Sequence, residues 1–350
     1  MSKRFSLGMI SAAAATLSLA AVSAAQTFTT QKYSIGGTGG TDYLAVDPST
    51  GHVFVSRGTH VMVVNGATGA VLGDIPDTPR VHGIAFAVKE GHGFTTNAGD
   101  STLTMFNLSD MTVIKKVHIG IDGADGIMYD ESTNLILSIN HSHPMGTTVA
   151  VNAKTGDVVG TITLSGVAPE GGAADGHGKV FINIEDKNSI DVVDLKTMKV
   201  TATWSIEPCD GPTGIAYDGR TKRIFAGCSK KSVVVDASNG KVVAEIANGD
   251  GVDALGWDAA EKMIYIPAGR DGNVTVVRQD AADRYTVVAT VPTVRGAKTI
   301  AVDEKTHRAY VFALEYGPAP TPEAGSPPPA PGSRPPRGPI TGTWFVSLTH

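Results

Sequence analysis

The chain is 350 residues long, carries a formal charge of −5, and contains 41 glycines, two cysteines and 41% hydrophobic residues. That acidic balance argues against broad nucleic-acid binding, which needs a basic face. The glycine content suits a turn-rich all-β protein, and a chain this long is more readily built from repeated units than around one core.

Lys3 and Arg4 precede an apolar and small-residue run over 7–22, and Ser23-Ala24-Ala25 then fits a cleavage site before Gln26. The run is too short to span a bilayer and has the layout of a secretory signal. Residues 1–25 are therefore expected to be removed on export, to the periplasm or the outside, which leaves residues 26–350 more acidic still. Residues 27–35 read as a strand with no partner in sequence order. Gly36-Gly37-Thr38-Gly39-Gly40 follows as a flexible link, since no helix comes after it to hold a phosphate.

The rest of the chain repeats. The first-strand ending appears as LAVD at 44–47, IAFA at 84–87, IMYD at 127–130, GAAD at 172–175, IAYD at 215–218, LGWD at 255–258 and IAVD at 300–303. Spacings of about 40 to 45 residues fall in the range of propeller blades. The clearest unit, residues 211–246, holds four short β-branched runs separated by Gly, Asp, Asn and Ser clusters, a four-stranded meander. Asx turns before the fourth strand recur at Asn65, Asn152, Asp194 and Asp236. Seven copies predict a seven-bladed β-propeller of four-stranded antiparallel blades. The seventh copy is short of a fourth strand, so residues 27–35 are expected to supply it and close the ring. Residues 316–340, rich in Pro, Ala and Gly, interrupt that blade as an extended surface loop.

The second strands read FVSR at 54–57, FTTN at 94–97, ILSI at 136–139, FINI at 181–184, FAGC at 225–228, YIPA at 265–268 and YVFA at 310–313. This pattern resembles the bacterial YVTN-repeat β-propeller family, named for a Tyr-Val-Thr-Asn second strand, over nearly all of the mature chain. The resemblance implies the propeller fold and a binding scaffold of open ligand, because propellers host many unrelated activities.

The regular Asp-x-x-Thr turns share the bottom face, whereas irregular loops gather on top, where function is expected. Taking the residue two places before each Ile-Ala-like pair, or one place before it in the first repeat, gives Tyr43, His82, Asp125, Glu170, Thr213, Asp253 and Lys298. These should converge on the mouth of the central channel as a ligand-binding ring. Carboxylates that converge repel, and a bound cation, a proton or Lys298 relieves the repulsion. A second signal is Asn140-His141-Ser142-His143-Pro144, with Glu185-Asp186 following in the next blade. Candidate metal ligands are Asp125, His141, His143, Glu170 and Asp253, for calcium if oxygen dominates or zinc if His takes part. Candidate general bases are His82 and His141.

Cys209 and Cys228 both belong to the fifth repeat and are expected to form a disulfide, as befits an exported protein. Trp204, Trp257 and Trp344 sit in strand-like runs and read as packing. No nucleophile elbow, P-loop or HExxH helix is present. The leading expectation is an exported, monomeric scaffold that binds a small molecule or a protein on its top face. The rival is a metal-dependent hydrolase or lyase of the lactonase sort. A minor reading places nucleic acid on Arg57, Lys230, Lys231 and Arg270.

Overall fold

The structure is a computed structural model that describes residues 27–320 and 337–350. The expected signal segment and the stretch 321–336 of the proline-rich insertion lie outside the described residues. Among the described residues, no helix is long and apolar enough to cross a membrane.

Seven four-stranded antiparallel sheets form the blades, and six of them run from inner to outer strand in chain order. The seventh sheet alone departs from that order. Its strands Ile300–Asp303, Arg308–Tyr316 and Ile340–Thr349 are completed by Thr29–Ser34 from the other end of the chain. The closing strand pairs from Thr29 opposite Thr349 to Ser34 opposite Trp344, so the seam is hydrogen-bonded like any other ladder. The proline-rich insertion leaves from the middle of this blade. There Arg337 stacks 4.9 Å from the centre of the Tyr316 ring and donates to its hydroxyl at 3.0 Å.

The apolar residues form seven core clusters, and each lies between two neighbouring blades. Alternation along the second strands explains this. Val53 and Val55 face the seventh blade and Phe54 faces the second, and all three are fully buried. Middle strands covered on both faces read as continuous apolar runs rather than as alternation. On the bottom face Asp47, Asp130, Asp218, Asp258 and Asp303 are buried and accept from their own turns. Their role is structural, as their spacing implies.

Three expectations need correction. Pairing places Met128 opposite Leu137 as it places Ala85 opposite Phe94, so the tetrad of blade three is Leu-Ser-Ile-Asn at 137–140. Asn140 therefore matches Asn97. Both are fully buried, and the side chain of each is hydrogen-bonded to a hydroxyl two residues earlier, Asn97 to Thr95 at 2.8 Å and Asn140 to Ser138 at 2.7 Å.

Second, Arg57 is fully buried and is closed to nucleic acid. Its guanidinium donates to the carbonyls of Gly40, Gly36 and Gly39 at 3.1, 3.0 and 3.4 Å, and it stacks on Phe312. Lys230 and Arg270 both pair with Asp250, and Lys231 pairs with Glu245, so no basic patch remains there. Third, the same contacts fix residues 36–40, which are a pinned crossing rather than a flexible link. A Cβ at Gly39 would stand 1.9 Å from the Arg57 carbonyl oxygen, which explains glycine there.

The disulfide is present. Cys209 and Cys228, with Cα atoms 5.7 Å apart, are both fully buried in the cluster between blades four and five.

Candidate functional site

The inner strands of blades two, three and four differ from the others at their top ends. Strands Val81–Ala87, Ala124–Asp130 and Pro169–Ala174 each slip register once, between Val81 and Ile84, Ala124 and Ile127, and Pro169 and Gly172. In each case two residues oppose one, which is a β-bulge, and bulges re-aim side chains beside functional sites. The bulged pairs are His82-Gly83, Asp125-Gly126 and Glu170-Gly171. Blade five, whose equivalent is Thr213, starts its ladder regularly with Gly214 opposite Gly227.

The glycines allow the bulges to crowd together. A Cβ on Gly126 would come within 2.6 Å of the Glu170 carbonyl, and one on Gly171 within 2.6 Å of the Thr213 carbonyl. Thr96 ties two bulges to each other, since its hydroxyl accepts from the Gly83 N–H at 2.8 Å and donates to the Asp125 carbonyl at 2.5 Å.

The side chains so aimed form a chain of alternating sign around the channel mouth. Lys298 bridges Asp253 and Asp42, at 3.0 Å from Asp42 Oδ1. Asp42 Oδ2 contacts His82 Nδ1, which lies 3.6 Å from Asp125 Oδ1. Asp125 Oδ2 lies 3.8 Å from His141 Nε2, and His141 Nε2 lies 3.1 Å from Glu170 Oε1. Glu170 Oε2 accepts from the Tyr43 hydroxyl at 3.4 Å, which returns the chain to blade one. Each of Asp42, Asp125 and Glu170 uses one oxygen on either side. Side-chain exposure runs from 10% for Glu170 to 43% for Lys298, so the ring is partly shielded yet open to a small solute.

Burial and neighbours set the protonation. Burial pushes the Glu170 carboxyl up to about 7, against the pull of His141. The Glu170 contact raises His141 to about 9, in spite of burial. Burial also raises Asp125. At Asp42 burial is outweighed by His82 and Lys298, which hold the carboxyl below its usual range. At His82 burial opposes the charge, but Asp42 and Asp125 raise it. Burial, with Glu170 and Asp125 beside it, drives Tyr43 far above its usual value. Among the described residues two groups of three donors fall within 4.8 Å, Asp42–His82–Asp125 and Asp125–His141–Glu170.

Of the expected ring and metal-ligand residues, three stand apart from the two donor groups in a way the residue pattern did not suggest. Asp253 meets Lys298 and stands outside both donor groups. His143, two residues beyond His141, is exposed and outside both groups. Thr213 donates to the Val252 carbonyl at 3.2 Å. The residue missed is Asp42. The two-place offset used in the other six repeats points to Asp42 before Leu44 and Ala45, so Tyr43 occupies the position that is Gly83, Gly126 and Gly171 elsewhere. Glu185 lies exposed at the rim, from where its charge still reaches His141. Below the ring, the channel holds a cavity of about 180 Å³ lined by Tyr43, Gly126, Gly171, Thr213, Asp253 and Ile300 among others. That is smaller than the usual drug-sized pocket and suits a small solute.

No protein-family profile and no curated protein matches this chain. Among solved structures it is similar to the RRP9 WD40 repeats, with a TM-score of 0.74 and 10% identity over 91% of this chain and 97% of that one. It is also similar to a chain of Kuenenia stuttgartiensis hydrazine synthase, with a TM-score of 0.70 and 16% identity over 79% and 93%. A chain of a mitotic checkpoint complex matches with a TM-score of 0.70 and 15% identity over 89% and 96%. At such identities the likeness establishes one thing: the chain has the β-propeller fold.

Proposed function

We propose that this protein is an exported propeller of the YVTN-repeat kind whose channel mouth binds a small cationic ligand, in the first place a divalent transition-metal ion. The alternating ring carries this reading. Asp125 and Glu170 are carboxylates shielded from water, and their nearest positive partners are histidines, which exchange a proton for a metal. Imidazole combined with carboxylate favours a zinc-class ion over calcium, which prefers an all-oxygen shell. Export is supported by the residues preceding Gln26 and by a fully buried disulfide, since such bridges persist in oxidising compartments.

A hydrolase or lyase needs the same ion and, besides it, a free base. His82 and His141 both stand among the donors that would hold the ion, which takes them out of the role of base, so binding is the reading favoured. Elemental analysis of the mature protein after dialysis against Zn²⁺ and gel filtration tests it. Stoichiometric zinc is expected, lost in Asp125→Asn with the circular dichroism spectrum unchanged. If the protein retains no metal and chelation leaves its melting temperature unmoved, the reading is abandoned.

A further inference from the structure

We infer that the channel mouth is a two-cation site in which Asp125 bridges the ions, one held with Asp42 and His82 and the other with His141 and Glu170. This rests on the cation-binding reading above and adds number and arrangement to it. The two donor groups share Asp125 alone. Its Oδ1 faces His82 Nδ1 at 3.6 Å and its Oδ2 faces His141 Nε2 at 3.8 Å.

Both separations are too long for a hydrogen bond. They are close to the edge of a coordination tetrahedron, since two ligand atoms about 2.1 Å from one ion stand roughly 3.4 Å apart. Asp42 Oδ2 and His82 Nδ1, by contrast, are in direct contact and must separate to admit the first ion. His141 Nε2 is also buried and makes no well-formed hydrogen bond, although Glu170 Oε1 is 3.1 Å away.

The outer shell fits the same division. Lys298 holds Asp42 Oδ1 and the Tyr43 hydroxyl holds Glu170 Oε2. This leaves Asp42 Oδ2 and Glu170 Oε1 turned toward the imidazoles. Such partners orient the ligands they touch. Three carboxylates and two neutral imidazoles offset most of the charge of two dications. Two ions joined by one carboxylate are a recurrent arrangement in metalloproteins, with the ions about 3.5–4 Å apart. The three bulges place one residue of this set in each of blades two, three and four.

The experiment strips the full mature chain with a chelator and titrates it with Zn²⁺ by calorimetry. Bound metal is then counted after gel filtration. Two equivalents are expected in the native chain and one in each of His82→Ala and His141→Ala. No bound metal in the native chain overturns the inference together with the reading beneath it. One equivalent overturns the pair alone. Two equivalents that survive in both variants put the ions elsewhere and also overturn it. Should a variant fail to fold, Mn²⁺ loaded into the native chain decides by electron paramagnetic resonance. A spin-coupled signal supports the bridge, and two uncoupled signals defeat it.

Discussion

At the scale of residues, the ring at the channel mouth separates two kinds of buried charge. The bottom-face aspartates accept chiefly from the hydroxyls and N–H groups of their own turns, such as Asp47 from Ser49 and Thr50, and Asp258 also meets His307 Nδ1 at 2.7 Å. The top-face carboxylates have mostly titratable partners, and this makes stability depend on pH. Glu170 is raised from 4.5 to about 7 and His141 from 6.5 to about 9, so the folded state binds both protons more tightly than the unfolded chain does. The contribution of Glu170 is complete below about pH 4.5 and is lost on the way to pH 7. That of His141 is complete below 6.5 and is lost on the way to 9. We therefore expect the melting temperature in chelator to fall across pH 6.5–9 more steeply for the native protein than for His141→Gln. Parallel curves would show that His141 gains no proton affinity on folding.

Asp42 shows what a one-dimensional reading loses. Its neighbour Tyr43 is the conspicuous residue, and the offset from Leu44 to Asp42 becomes compelling only when pairing fixes the register of each repeat.

At the scale of elements, the bulged inner strands of blades two to four and the stapled blade five do different work. Residue types alone single out His82, Asp125 and Glu170, whereas the bulges that aim them leave no composition signal beyond a following glycine. Blade five has a regular inner strand and a covalent link between its incoming segment and its second strand. Replacing Cys209 and Cys228 by serine should cost roughly 3 kcal/mol, the loop-entropy value for a bridge of this span. Urea denaturation of the double variant checks it. Zinc binding should survive, because neither cysteine belongs to a donor group. Equal midpoints for the two proteins would remove the bridge from the list of stabilising contacts.

At the scale of the whole molecule, the ring holds because every blade packs on two others and the seam is paired from both ends of the chain. Deleting residues 27–35 removes six residue pairs with Ile340–Thr349 and leaves the unpaired edge of that strand facing solvent. It also removes Ile35 from the cluster between blades seven and one. The truncated protein should melt lower and self-associate in light scattering. An unchanged melting temperature and a monodisperse sample would mean that the seam does not depend on this strand.

The sequence by itself determined the blade count, the strand order within blades, the closing strand and the disulfide pair. Each of these is written in local periodicity, or in a pairing that only one partner can complete. Tertiary structure alone decided that Arg57 is a buried clamp on residues 36–40, that His143 is exposed, and that Asp42 faces His82. It also decided that the two oxygens of Asp125 serve different neighbours. The physical reason is distance along the chain. Contacts between residues 40 or more positions apart depend on the small rotation between neighbouring blades and on single-residue register slips, and neither leaves a periodic trace in one sequence.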